Sequence, residues 1–169
     1  MRTAETFLSV DEYLDRHFEP ETELIAGELR PKPWGTDKHS DMCAWLDTLL
    51  LKQAGRSRTR VELSLRIGDD ILIPDVCVLR DKKKELYRDI LAEPPLLCVE
   101  VISPSQRHSE MIAKCERYHE FGVPFCWVID PVAKRAWESH PDAPAVESTS
   151  DLRAGEFAVS RAELFSDAD

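Results

Sequence analysis

The chain has 169 residues, a length that suits one domain with one core, and 43% of them are hydrophobic, which excludes wholesale disorder. No apolar run reaches the roughly 18 residues of a membrane helix, and the N-terminus turns acidic before an apolar stretch of signal-peptide length develops, so a cytoplasmic protein without a membrane partner is expected. The net charge of −10 argues against a uniformly basic nucleic-acid surface, although the acids crowd the two ends: residues 1–30 hold eight acids and three bases, residues 138–169 eight acids and two bases, and the middle is close to neutral.

Ser9 is a good N-cap for a first helix through VDEYLDRHF. TELIAGELRPKP reads as a strand or hairpin turning at Gly27 and ended by Pro31 and Pro33. Asp37 or Ser40 can cap a second helix, in which Met42, Trp45, Leu46, Leu49 and Leu50 recur at helical spacing before Gly55. From Lys52 to Arg66 five bases stand against Glu62 alone. That strip could follow a phosphate backbone, but a solvated turn and a charge-protected edge strand explain it better.

RTRVELSLRI alternates as a half-buried strand, with Val61, Leu63, Leu65 and Ile67 on one face. Gly68-Asp69-Asp70 then makes a tight turn into ILIPDVCVL, so the two runs form a hairpin. A charged stretch, DKKKELYRDILAEPP, is read as a loop with room for a helical turn. LLCVEVIS, apolar on both faces, belongs in the centre of a sheet. A helix ending at Gly122, a buried strand VPFCWVID stopped by Pro131, a returning strand KRAWESH, weak strand signal at EFAV and a short helix SRAELF complete the order. The expected architecture is α/β, one domain over residues 1–169, with a mixed central sheet flanked by helices. Cysteines 43, 77, 98, 115 and 126 are odd in number, widely spaced and free of a CxxC pair. They argue against a zinc site or a disulfide framework and for small buried hydrophobes in a reducing compartment.

The chemistry-bearing residues are acids inside apolar strands: Asp75 in Ile71–Leu79 and Glu100 in Leu96–Ile102. A carboxylate there loses its hydration and needs compensating charge. Either acid alone is as well explained by capping a loop or bonding backbone amides. Two of them on neighbouring strands would repel, and a hard divalent ion, magnesium or manganese, relieves the repulsion. Lys114 adds to this. At about 100° per residue it falls within the apolar arc of Met111, Ile112, Cys115, Tyr118 and Phe121, so its ammonium is aimed at the sheet unless the stem snorkels out. Together these describe a site: a metal held by carboxylates, plus a cation for the developing charge of a phosphoryl transition state.

Pro74-Asp75 followed 25 residues later by Glu100-Val101-Ile102 resembles the PD-(D/E)XK nuclease signature, with Ile102 where that signature has lysine. Glu23-Leu24-Ile25-Ala26-Gly27-Glu28, His39, Val99 to Ser105, Lys114 with Tyr118, Gly122-Val123 and Trp127 to Pro131 narrow the likeness to the Uma-type restriction endonucleases, over roughly residues 7–140. The resemblance implies a restriction-endonuclease-like fold, a magnesium or manganese ion and hydrolysis of DNA. It makes Asp75 and Glu100 the metal-binding acids, Lys114 a lysine that has migrated to the helix, and Glu23 a third acid of the site. His39 matches too, though a capping or core histidine needs no chemistry. Ala26 stands where the family commonly has an acid. A homodimer would suit cleavage of both strands of a duplex. The rival readings are a nucleic-acid-binding module of the same fold without catalysis, and a protein-interaction module in which the acids are merely salt-bridged.

Overall fold

In the computed structural model, which describes residues 7–81, 86–87 and 89–166, the first third keeps the expected order of helix, hairpin and helix, although the first helix stops at Leu14 rather than running through Phe18. Ser9 caps α1 (Val10–Leu14): its hydroxyl accepts from Glu12 N–H and its own N–H donates to the Glu12 carboxylate at 2.9 Å, a capping box. β1 (Thr22–Ile25) and β2 (Glu28–Pro31) pair antiparallel across Ala26 and Gly27, whose φ values of 53° and 78° are those of a two-residue hairpin turn with both central residues left-handed. Thr36, rather than Asp37 or Ser40, caps α2 (Asp37–Ala54), its hydroxyl accepting from His39 N–H at 3.3 Å. The earlier start places His39 in the first turn.

The next four strands are β3 (Thr59–Val61), β4 (Leu65–Ile67), β5 (Asp70–Leu72) and β6 (Val76–Val78). They are the two arms of one antiparallel hairpin, and both arms are broken at the same level. Glu62 takes φ 50° and donates its N–H to the Asp75 carbonyl at 3.1 Å; opposite, Pro74 has no N–H to give. Hence β4 pairs with β5 in one sheet and β3 with β6 in another. The expected inward row does not survive the break: Leu65 is fully buried, whereas Val61 is 48% exposed. β7 (Leu86–Tyr87) and β8 (Ile90–Leu91) form a small hairpin beside β4. The helical turn expected in the charged stretch falls partly on residues 82–85 and 88, which lie outside the described residues.

β9 (Leu97–Val101), α3 (His108–Phe121), β10 (Phe125–Asp130) and β11 (Arg135–Ser139) follow. They are succeeded by β12 (Val146–Glu147), the hairpin β13 (Leu152–Ala154) and β14 (Phe157–Val159), and α4 (Arg161–Leu164). One six-stranded sheet runs β2-β1-β5-β4-β8-β7, the other β12-β11-β10-β9-β6-β3. β9 is central in the second, antiparallel to β6 and parallel to β10. Its alternation sorts the core. Leu97, Val99 and Val101 pack on Met42, Leu46, Leu49 and Leu50 of α2, a layer closed by Leu152, Phe157 and Leu164. Cys98 faces Met111, Cys115 and Tyr118 of α3. α1 covers the first sheet through Val10, Tyr13, Leu24 and Ile71. The mixed α/β architecture with flanking helices is thus as expected, carried by two sheets joined through the bent hairpin rather than by one. Among the described residues no helix is long and apolar enough to cross a membrane.

Candidate active site

Val76 pairs with Val99, so the next pair outward sets Asp75 across from Glu100, and strand alternation turns both toward the α3 side, as it does Cys77 and Cys98. Both acids are buried and line one cleft of about 1210 Å³. Lys114 reaches this cleft from α3. Its ammonium lies 2.7 Å from Glu23 Oε1 and 2.9 Å from Glu100 Oε1, and donates to the Ile73 carbonyl at 3.3 Å. Glu23 Oε1 also accepts the Ile73 N–H at 2.7 Å. Tyr118, one turn beyond Lys114, donates its hydroxyl to Glu100 Oε1 at 2.6 Å. Both bonds to Glu100 end on Oε1, so Oε2 carries neither.

Asp75 is held differently. Its Oδ2 accepts the Val101 N–H at 2.7 Å and lies 3.4 Å from His39 Nε2; its Oδ1 lies 3.0 Å from the Lys32 ammonium. Burial pushes the Asp75 carboxyl up, but His39, Lys32 and the Val101 N–H prevail and hold it well below the usual range. At Glu100, burial prevails over Lys114 with the help of Asp75 and Glu23, and the carboxyl is pushed up to about 7. Burial pulls Lys114 down, yet Glu100 and Glu23 together keep it above an ordinary lysine. Two adjacent acids are therefore driven in opposite directions by their surroundings, the pattern of a site with divided proton roles.

The four residues singled out from the sequence, Asp75, Glu100, Lys114 and Glu23, thus all line the cleft. They do not converge as a trio of acids. Among the described residues, the three ligand atoms gathered within 4.8 Å of one another belong to His39, Cys43 and Asp75. Lysines separate the remaining carboxylates. Lys32 was not anticipated: it falls between the two prolines read as ending the hairpin, and nothing local marks it as inward. None of the strip's five bases is among the described lining residues; Arg58 pairs with Glu156 and Arg60 bonds the carbonyls of Arg56 and Thr59. Ile102, at the lysine position of the strand signature, packs into the α3-side core.

These features define an α/β protein of nuclease-like fold. The crystal structure of a "putative nuclease belonging to DUF820" from Anabaena variabilis ATCC 29413 superimposes with a TM-score of 0.81, covering 94% of this chain and 97% of that one at 23% identity. Residues 5–164 match the family described as "Uma2: Putative restriction endonuclease", and the chain belongs to that family. No curated protein matches it.

Proposed function

We propose that this protein is a magnesium- or manganese-dependent DNA endonuclease whose reaction takes place in the cleft around Asp75, Glu100 and Lys114. The observation that carries the reading is the position of Lys114. An ammonium delivered by α3 stands between two buried carboxylates and supplies the cation that Ile102 cannot. Three acids, Asp75, Glu100 and Glu23, share two ammonium groups there, and one acid, Glu100, is driven up to about 7, which fits a further hard cation on oxygen ligands. Asp75 and Glu100 would hold it, and when bound it lowers the pKa of water and neutralises phosphate charge. Asp75 stays ionised at neutral pH. Lys114 stabilises the charge that builds on the phosphoryl oxygens in the transition state. Glu23 and Tyr118 act as positioning residues: Glu23 ties Lys114 to the backbone of Ile73, and Tyr118 orients Glu100.

The cleft's charge disfavours a binding module that works without metal. Among the described residues nine acidic side chains line it against four lysines and arginines, so a polyanion needs divalent cations to approach. Cutting both strands of a duplex calls for two such sites, which a homodimer would bring together. All five cysteines are free, as suits a reducing compartment such as the cytoplasm. The test is relaxation of supercoiled plasmid by purified protein with magnesium, manganese or chelator. Wild type should nick only with the metals, and Asp75→Ala should do neither. Equal cutting by Asp75→Ala, or no cutting by a wild type that binds the ion, refutes the assignment.

A further inference from the structure

Four of the five cysteines are fully buried in the sheet and α3 core; Cys43 alone lines the cleft. It sits one turn beyond His39 on α2, and residues four apart share a helix face. Cys43 borders the α2 face that packs on the sheet through Met42, Leu46, Leu49 and Leu50, and is only partly buried there. Cys43 Sγ lies 3.7 Å from His39 Nδ1 and 4.0 Å from Nε2, and Nε2 lies 3.4 Å from Asp75 Oδ2. A tetrahedral zinc ion, with bonds of about 2.0–2.1 Å to nitrogen and oxygen and about 2.3 Å to sulfur, sets its ligands roughly 3.3–3.6 Å apart. From the same Nε2 the His39–Asp75 edge already has this length, the His39–Cys43 edge is 4.0 Å, and all three ligand atoms lie within 4.8 Å of one another, so closing the site takes a small inward shift of Cys43.

We propose that His39, Cys43 and Asp75 form a zinc site of their own, and that zinc bound there withdraws Asp75 from the magnesium-type ion. The second half rests on the reading of Asp75 given above; the first does not. Thiolate with imidazole selects zinc over magnesium, which takes oxygen ligands. Three protein ligands in an open cleft leave the fourth position to water or substrate. The Val101 N–H donates to Asp75 Oδ2, the oxygen that faces His39, so the acceptor is already oriented. On binding, the Cys43 thiol releases its proton to solvent as the sulfur–metal bond forms, and no redox change is involved. The same three contacts without zinc chemistry would be a plain His39–Asp75 hydrogen bond with a thiol beside it.

Cobalt(II), a spectroscopic stand-in for zinc, separates the two. Metal-free full-length wild type titrated with cobalt should develop thiolate-to-metal charge-transfer absorption that saturates at one equivalent and is abolished by zinc. Cys43→Ser and Cys43→Ala, each checked for native circular dichroism, should lack the band and bind zinc more than about tenfold more weakly. Absence of the band in wild type, or its persistence in both variants, overturns the site. In a second arm, one equivalent of zinc should suppress the rise in melting temperature that magnesium causes in wild type but leave it intact in the Cys43 variants. Zinc binding with an undiminished magnesium response overturns the competition. A band with no magnesium response at any concentration also overturns it, and places the fault in the Asp75–Glu100 reading, leaving the zinc site standing.

Discussion

Lys32 and Lys114 donate to the same acceptor, the carbonyl oxygen of Ile73, at 3.2 and 3.3 Å. Ile73 is the residue at which the bent hairpin leaves one sheet for the other, so its backbone groups lose their ladder partners. Its N–H goes to Glu23 and its carbonyl to the two ammonium groups, which in turn reach Asp75 and Glu100. Buried backbone groups must find partners, and here the partners are the charged side chains of the site. The break in the hairpin thus assembles the cleft chemistry rather than merely making room for it.

Removing Lys114 therefore has two consequences. Lys114→Met leaves Glu23 and Glu100 buried without their cation, a loss of about 3–5 kcal/mol, which lowers the melting temperature of the metal-free protein by roughly ten degrees. Glu23→Gln added to Lys114→Met should recover part of that loss by deleting one stranded charge. Cleavage should fall on the order of a hundredfold or more even at temperatures where the variant is folded. A variant that melts and cuts like wild type would remove Lys114 from both roles.

Lys32 competes for the carboxylate that is to hold the metal. Its ammonium is 3.0 Å from Asp75 Oδ1, where it repels an incoming dication. Lys32→Met should bind manganese more tightly, by roughly tenfold for about 1.4 kcal/mol of lost repulsion, while its turnover falls for want of a cation near the phosphate. Calorimetric titration and single-turnover cleavage read the two effects separately. Weaker metal binding in Lys32→Met contradicts the competition.

Much of this site could be read from the sequence because acids inside apolar strands violate the local pattern, and such violations are visible without coordinates. Asp75, Glu100 and Lys114 stood out on that ground, and Glu23 through the family likeness. Lys32 did not: its N–H extends the β1–β2 ladder to the Glu21 carbonyl, and that its ammonium meets Asp75 is a tertiary fact. Cys43 was read as one more core thiol. Its four-residue spacing from His39 acquires meaning only once Thr36 is known to cap the helix and Asp75 to lie opposite. The two-sheet division was hidden for a related reason: Pro74 and Glu62 break both arms of the hairpin at one level, whereas periodicity registers each arm as continuous.

Trp34 is 78% exposed on the rim of the cleft, between Pro33 and Gly35. An aromatic ring exposed to water in the connection between β2 and α2 is placed to stack on an unpaired base, a contact worth about 1–3 kcal/mol. Trp34→Ala should weaken binding of a labelled single-stranded oligonucleotide by about tenfold in the presence of divalent ion, as read by fluorescence anisotropy, with no change in melting temperature. Unaltered affinity would leave the ring without a part in substrate binding.

The raised Glu100 carboxyl fixes the sign of a pH effect. In the unfolded chain this acid loses its proton near 4.5, in the folded protein at about 7. Between those values the native state holds more protons than the unfolded one, so stability of the metal-free protein falls as pH rises through the window. Asp75, shifted the other way, contributes stability above the unfolded aspartate range that is lost only as the solution becomes more acidic than that, so the two effects occupy different windows. Melting curves of metal-free wild type should therefore drop by a few degrees from about pH 5 to about pH 8 relative to Glu100→Gln, which has no proton to lose. Magnesium should restore the wild-type loss at the alkaline end, because the ion binds the ionised carboxylate and so favours the state that pH alone destabilises. Parallel pH profiles for wild type and Glu100→Gln would show that burial does not hold the proton on this acid.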